Sequence, residues 1–126
     1  MPFPVSQARI EEAEAQLGRR LPDAQRQRLL RANGGEVEAV DEDWTLYPVW
    51  DPTDRKTMGR TANHIVRENE AWRRDWPDML PGGFLAIGDN GEGDLLVIGP
   101  DRDDILLWNH ETRELTPVTV NWADRQ

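Results

Sequence analysis

Asp89, Asp94 and His110 are the residues whose types could do acid–base chemistry: two carboxylates five positions apart, with an imidazole downstream beside Glu111. Such a set could pass a proton in a small hydrolase. The sequence offers no nucleophile with an orienting base and no metal-ligand spacing, so that reading is the rival, not the choice. The other histidine, His64, is far from His110, and the two could meet at a metal with Asp89 or Asp94. A turn histidine bonded to backbone is the commoner arrangement. No catalytic residue, metal or cofactor is assigned.

The loop that carries both aspartates, Ile87-Gly88-Asp89-Asn90-Gly91-Glu92-Gly93-Asp94, also fails the usual ligand patterns. A calcium loop needs oxygen ligands where Gly91 and Gly93 stand, and a glutamate where Pro100 stands. A phosphate cradle needs a lysine followed by serine or threonine, and neither stands in this loop. A dinucleotide turn needs a helix after it, whereas Leu95 to Ile98 is a short apolar run suited to a strand. With Phe84 to Ile87 on its other side, the loop predicts a hairpin turned through glycine, aspartate and asparagine. Its expected role is structural.

The elements that would position these groups follow from chain order. Ser6 is suited to cap a helix with Ile10, Ala13 and Leu17 on one face and Gly18 as its stop. Pro22 is suited to the first position of a second helix, which carries Leu29 and Leu30 inward and ends at Asn33-Gly34-Gly35. An acidic loop then leads to a strand over Trp44 to Trp50. A third, amphipathic helix is expected over Thr61 to Arg73, with His64 inside it. After the central hairpin come a strand over Asp104 to Trp108, a turn over Asn109 to Glu114, and an edge strand over Leu115 to Val120 around Pro117. This order predicts one α+β domain over residues 1–126: an antiparallel sheet with helices packed on one face.

Composition narrows the function. The 126 residues contain no cysteine, hence no disulfide framework or thiolate metal site. No apolar run approaches a membrane span, and Met1-Pro2-Phe3-Pro4 lacks a signal region, which predicts a soluble cytoplasmic protein. The net charge of −9 is unevenly placed. Seven acids and no base lie between Glu36 and Asp54, and eight acids face Arg102 alone between Asp75 and Asp104. Such a surface repels nucleic acid and anionic membrane and attracts basic partners.

Leu21-Pro22, Leu29-Leu30, Asn33-Gly34-Gly35, the stretch from Ile87 to Asp94 and the turn Trp108-Asn109-His110-Glu111, in this order and spacing, resemble the SUKH superfamily. That group includes fungal cell-wall assembly regulators and bacterial immunity proteins of polymorphic toxin systems. The resemblance runs from about Ile10 to about Val120. It departs at Gln25 and Arg28, where the family usually has aromatic residues, and at Glu92, where a glycine is frequent. It implies a binding scaffold, not a catalyst, and for a bacterial member a toxin partner, often a nuclease. The alternative it leaves open is a regulatory scaffold with some other protein partner. Leu21, Pro22, Asn33, Gly34, Gly35, Gly88, Asp89, Gly91, Gly93 and Asp94 match its pattern and are read as fold determinants.

For the docking surface, the acids Glu42, Asp43, Asp101 and Asp103 are expected to converge on one face. Trp44, Trp72 and Trp76 are the candidate anchors, because tryptophan supplies much of the binding energy at protein interfaces. Most of the six tryptophans are otherwise expected in the core.

Overall fold

The computed structural model of the chain describes residues 3–123, so the expectations for Met1, Pro2 and the last three residues lie outside the described residues. Ser6 caps α1 (Gln7–Leu17): its side chain accepts the Arg9 N–H, and Gly18 closes the helix at φ 79° by donating to the Glu14 carbonyl. α2 (Asp23–Arg31) begins one residue later than expected. Pro22 has an extended ψ of 145° and precedes the helix as its N-cap. Leu21 is buried beside it, and its N–H donates to Glu14 Oε2 at 2.7 Å. Asn33 then does the work of a strand. Its Nδ2 donates to the Val49 carbonyl at 2.9 Å, and its Oδ1 accepts the Val49 N–H at 2.8 Å. Gly34 and Gly35 carry the chain on into the sheet.

The acidic stretch expected as a loop is a hairpin, β1 (Glu36–Ala39) and β2 (Glu42–Leu46), joined by Val40 and Asp41 at φ 53° and 59°. The two-residue period of the strand explains it. Val37, Ala39, Trp44 and Leu46 turn inward while Glu36, Asp43 and Thr45 turn to solvent, and Glu42, at the end of the hairpin, is exposed as well. Here β2 stops at Leu46, short of the Trp50 expected from the sequence.

The helix expected over Thr61 to Arg73 is α4 (Ile65–Asp75), which begins four residues later, and a short helix not foreseen from the sequence, α3 (Arg55–Arg60), precedes it. Asp54 caps α3 by accepting the Thr57 N–H at 2.8 Å. His64 is not mid-helix but the N-cap of α4, where its Nδ1 accepts the Arg67 N–H at 3.3 Å.

β3 (Leu85–Asp89), β4 (Leu95–Ile98) and β5 (Ile105–Trp108) follow as antiparallel neighbours. The expected last strand divides into β6 (Leu115–Pro117), paired with β5, and β7 (Val120–Asn121), paired with β1. The sheet order is therefore β6-β5-β4-β3-β2-β1-β7, with β6 and β7 at opposite edges. Only Val118 and Thr119 separate those strands. Their three Cα steps span at most about 11 Å, whereas seven strands laid flat would set the edges about 29 Å apart. The sheet is curled until its two edges approach each other.

The interior of the curl is apolar, with Trp44, Leu46, Ile87, Leu95, Leu96 and Trp108 fully buried. α4 packs on β3, and α1 packs on α4 and α2, which completes one α+β domain. Two devices lock β3. Asn69 of α4 reaches the sheet, donating to the Ala86 carbonyl and accepting its N–H, both at 2.8 Å. Beside it the β3–β4 register shifts between Ala86 and Gly88, and a Cβ on Gly88 would lie 2.6 Å from the Thr45 carbonyl oxygen. Only glycine fits that crossing.

Candidate functional site

The central loop is held by its own side chains. Asn90 Oδ1 accepts the N–H groups of Glu92 and Asp94 at 2.9 and 3.3 Å, and Asp89 Oδ1 accepts the Gly91 N–H at 3.1 Å. Asp94 Oδ1 takes both the backbone N–H of His110, at 3.0 Å, and its ring Nδ1, at 2.6 Å. Burial would raise the Asp94 pKa, but the donors from His110 and Asn90 outweigh it and hold the carboxyl below its ordinary value. Gly93, at φ 104°, lies flat on the imidazole, and a Cβ there would come within 3.1 Å of His110 Cγ. The Asp94–His110 pair thus braces the central loop against the β5–β6 turn. Among the described residues, no three His, Asp or Glu side chains converge as metal ligands would.

On its other side this loop borders a cleft of about 400 Å³. One wall is the outer face of α4, which brings Glu68, Ala71, Trp72 and Asp75 forward at helical spacing and ends in Trp76. The opposite wall is Tyr47, Asp89, Gly91, Gly93 and Leu95. Tyr47 donates its hydroxyl to Asp89 Oδ2 at 2.9 Å. Burial first, and then the Asp89 charge, push the phenol above its ordinary pKa, so it stays protonated and serves as a donor. Burial, followed by the charge of Asp89, also raises the Glu68 carboxyl. Asp75 is neutralised in part by exposed Arg74 at 3.0 Å. Trp72 forms the floor, half-buried and edge-on to Trp108 with ring centroids 6.0 Å apart. Trp76 is 60% exposed. It stands between this cleft and a second hollow of about 260 Å³ that includes Leu80, Pro81 and Phe84.

The structure divides the residues singled out from the sequence. Glu42 and Asp43 are exposed on β2, and Glu42 Oε1 lies 3.4 Å from Asn90 Nδ2, so the acidic hairpin abuts the central loop. Trp72 and Trp76 border the cleft beyond that loop. Trp44 is a correction: strand alternation turns it into the core, where its Nε1 donates to the Ala39 carbonyl at 3.0 Å, and no partner can reach it. Asp101 and Asp103 are a second correction. They follow β4 at the end away from the central loop, and Asp103 pairs with Arg19 at 3.2 Å beside the turn after α1. The acids therefore form two groups at opposite ends of β4, not one face. Of the six tryptophans Trp44 and Trp108 are fully buried, Trp72 and Trp122 pack half-buried against the core, and Trp50 and Trp76 are exposed.

Sequence reasoning missed Tyr47, Glu68 and Asn69 as site and scaffold residues. Asn69 was visible as a polar residue on the apolar face of a helix, four positions after Ile65. Glu68 follows His64 by four positions and had no such mark. Arg28, also missed, is buried, and its guanidinium donates to the carbonyls of Gly34, Glu36, Trp122 and Ala123. It ties the glycine turn to the end of the described chain at a position where an aromatic residue was expected.

This is a recess with two tryptophans and three carboxylates, placed on a helix end and a rigid loop, and its titratable groups are set to hold protons or accept hydrogen bonds. It suits recognition of another molecule's surface. No curated protein matches the chain. The profile of one family matches residues 4–124, nearly the whole length, and the chain belongs to it: the SMI1 / KNR4 family (SUKH-1), a group of immunity and regulatory proteins that act by binding protein partners.

Proposed function

We propose that this protein is an immunity protein that binds a cognate toxin and neutralises it by occlusion, the toxin being a basic protein of the nuclease class. The observation that carries the reading is Trp76, a large indole left 60% exposed at the rim of an acidic cleft. An exposed tryptophan among polar neighbours is the composition of an interface anchor. A net charge of −9 complements a toxin that must approach phosphates, and it speeds their encounter. Occlusion needs no chemistry from the inhibitor, which agrees with the use of Asp94 and His110 as braces.

The test is co-expression with the product of the adjacent gene. The expected result is survival of the producing cell and co-purification of the two proteins as a stable complex. Survival without a complex, or a complex with a protein that is no toxin, would overturn immunity by occlusion, and the second outcome would favour a regulatory scaffold.

A further inference from the structure

We infer that the cleft between α4 and the central loop receives an arginine side chain of the protein partner, its guanidinium held by Glu68 and Asp89 and its flat face against Trp76. This names what the surface proposed above binds, and it rests on that reading.

Four observations carry it. Glu68 is half-buried, yet among the described residues its carboxylate makes no hydrogen bond or ion pair. Asp89 faces the same cleft, and among the described residues its two oxygens take only the Tyr47 hydroxyl and the Gly91 N–H. After burial, the Asp89 charge raises the Glu68 carboxyl more than the Arg67 charge lowers it, and among the described residues neither carboxylate is in an ion pair, so a cation placed in the cleft relieves their repulsion. The void, about 400 Å³, holds a long side chain comfortably. Its rim is an exposed indole, the side chain whose face attracts a cation most strongly.

Arginine fits better than lysine for a geometric reason. A planar fork of donors can reach two carboxylates at once while its face stacks on an aromatic ring, whereas an ammonium is a single, strongly hydrated point charge. A metal ion is disfavoured, because among the described residues the three carboxylates of the cleft, Glu68, Asp75 and Asp89, do not come together as metal ligands would. Nucleic acid is repelled by the chain's charge. A protein side chain is favoured over a free guanidinium compound by the second hollow. Trp76 lines both recesses, and a chain that continues past the indole meets Leu80, Pro81 and Phe84 on the far side. A partner loop with arginine beside an apolar residue would fill both.

The test uses the whole chain, labelled with ¹⁵N, and the peptide acetyl-Gly-Arg-Gly-amide, with its citrulline counterpart as the uncharged isostere. The arginine peptide should shift the Trp76 indole N–H saturably and the citrulline peptide should not. Glu68→Gln breaks no bond in the folded chain and should weaken the arginine peptide roughly five- to tenfold. Equal responses to the two peptides, or unchanged affinity in Glu68→Gln, would overturn the inference. A second arm uses the cognate toxin of the function proposed above. Native-strength toxin binding by Glu68→Gln and Trp76→Ala would remove the cleft from the interface but leave the protein-binding reading intact. No toxin binding by the unaltered chain, with the peptide still bound, would overturn the partner side chain as the source and leave a site for a free guanidinium compound.

Discussion

The hydroxyl of Tyr47 lies 2.9 Å from Asp89 Oδ2 and joins the segment after β2 to the last residue of β3. Tyr47 is buried and Asp89 only half so, and the bond therefore fixes one wall of the cleft from the inside. Tyr47→Phe keeps the ring and removes the donor. The expected loss is about 1 kcal/mol of stability, read from urea unfolding, with the Trp76 indole resonance shifted because the wall of its cleft has changed.

The glycines of the central motif should not be equivalent. Gly88→Ala places a methyl 2.6 Å from a backbone oxygen in the middle of a sheet, and it should cost about 3 kcal/mol. Gly93→Ala combines a positive φ with contact against the His110 ring, whereas Gly91 has a positive φ and open space around it. Gly91→Ala should therefore cost least, about 1 kcal/mol. Thermal melting of the three variants checks the order.

Val40 occupies a left-handed position at the tip of the β1–β2 hairpin, where a β-branched residue is strained, and its side chain is exposed. With Asp41 also at positive φ, the turn has the type I′ pattern that favours asparagine or glycine. Val40→Asn should raise stability by about 1 kcal/mol, measured as a higher unfolding midpoint in urea with an unchanged slope.

How much of this was legible in the sequence depends on whether a residue's neighbours in the chain or in space decide its role. Ser6 and Gly18 bound α1 by chemistry within one turn, and the sequence shows both. The central hairpin was legible for the same reason, since Asn90, Gly91 and Gly93 make their own loop. Trp44 was misplaced because its acidic neighbours drew more weight than the alternation that buries it with Leu46. The division of the last strand was hidden, because nothing within Leu115 to Val120 says that the sheet has curled enough for β7 to reach β1. Glu68 and Tyr47 become a site only when α4 lies on β3, a contact between distant segments. Asp101 and Asp103 were grouped with Glu42 by charge alone, and the length of β4 separates them.

Stability should fall in mild acid through His64. Burial first, and then the charge of Arg67, hold its imidazole below the ordinary value, and its unprotonated Nδ1 accepts the Arg67 N–H. The folded pKa is depressed, so the unfolded chain takes up the proton first. The stability this cap provides is complete above the ordinary histidine pKa of about 6.5. It is lost as pH falls through the lower folded value. Denaturation followed from pH 7.5 downward should show that slope, and His64→Asn, which can cap without titrating, should flatten it.

Glu42 and Asp43 lie beside the central loop and are exposed, so their expected effect is on encounter. Exchanging both for lysine should slow association with a basic toxin and flatten its salt dependence, with dissociation little changed. The same exchange at Asp101 and Asp103, at the other end of β4, should do less. Stopped-flow association at two or three salt concentrations separates the pairs.

Surface-binding kinetics of the unaltered chain and Trp76→Ala against the proposed cognate toxin test the central claim most directly, because Trp76 is the most exposed of the chain's described large apolar side chains and stands at the rim of the cleft. The predicted result is an unchanged association rate and a dissociation rate about 30-fold faster, the equivalent of about 2 kcal/mol. Tight binding by the unaltered chain with the same dissociation rate in Trp76→Ala would contradict the account and place the interface elsewhere on the molecule.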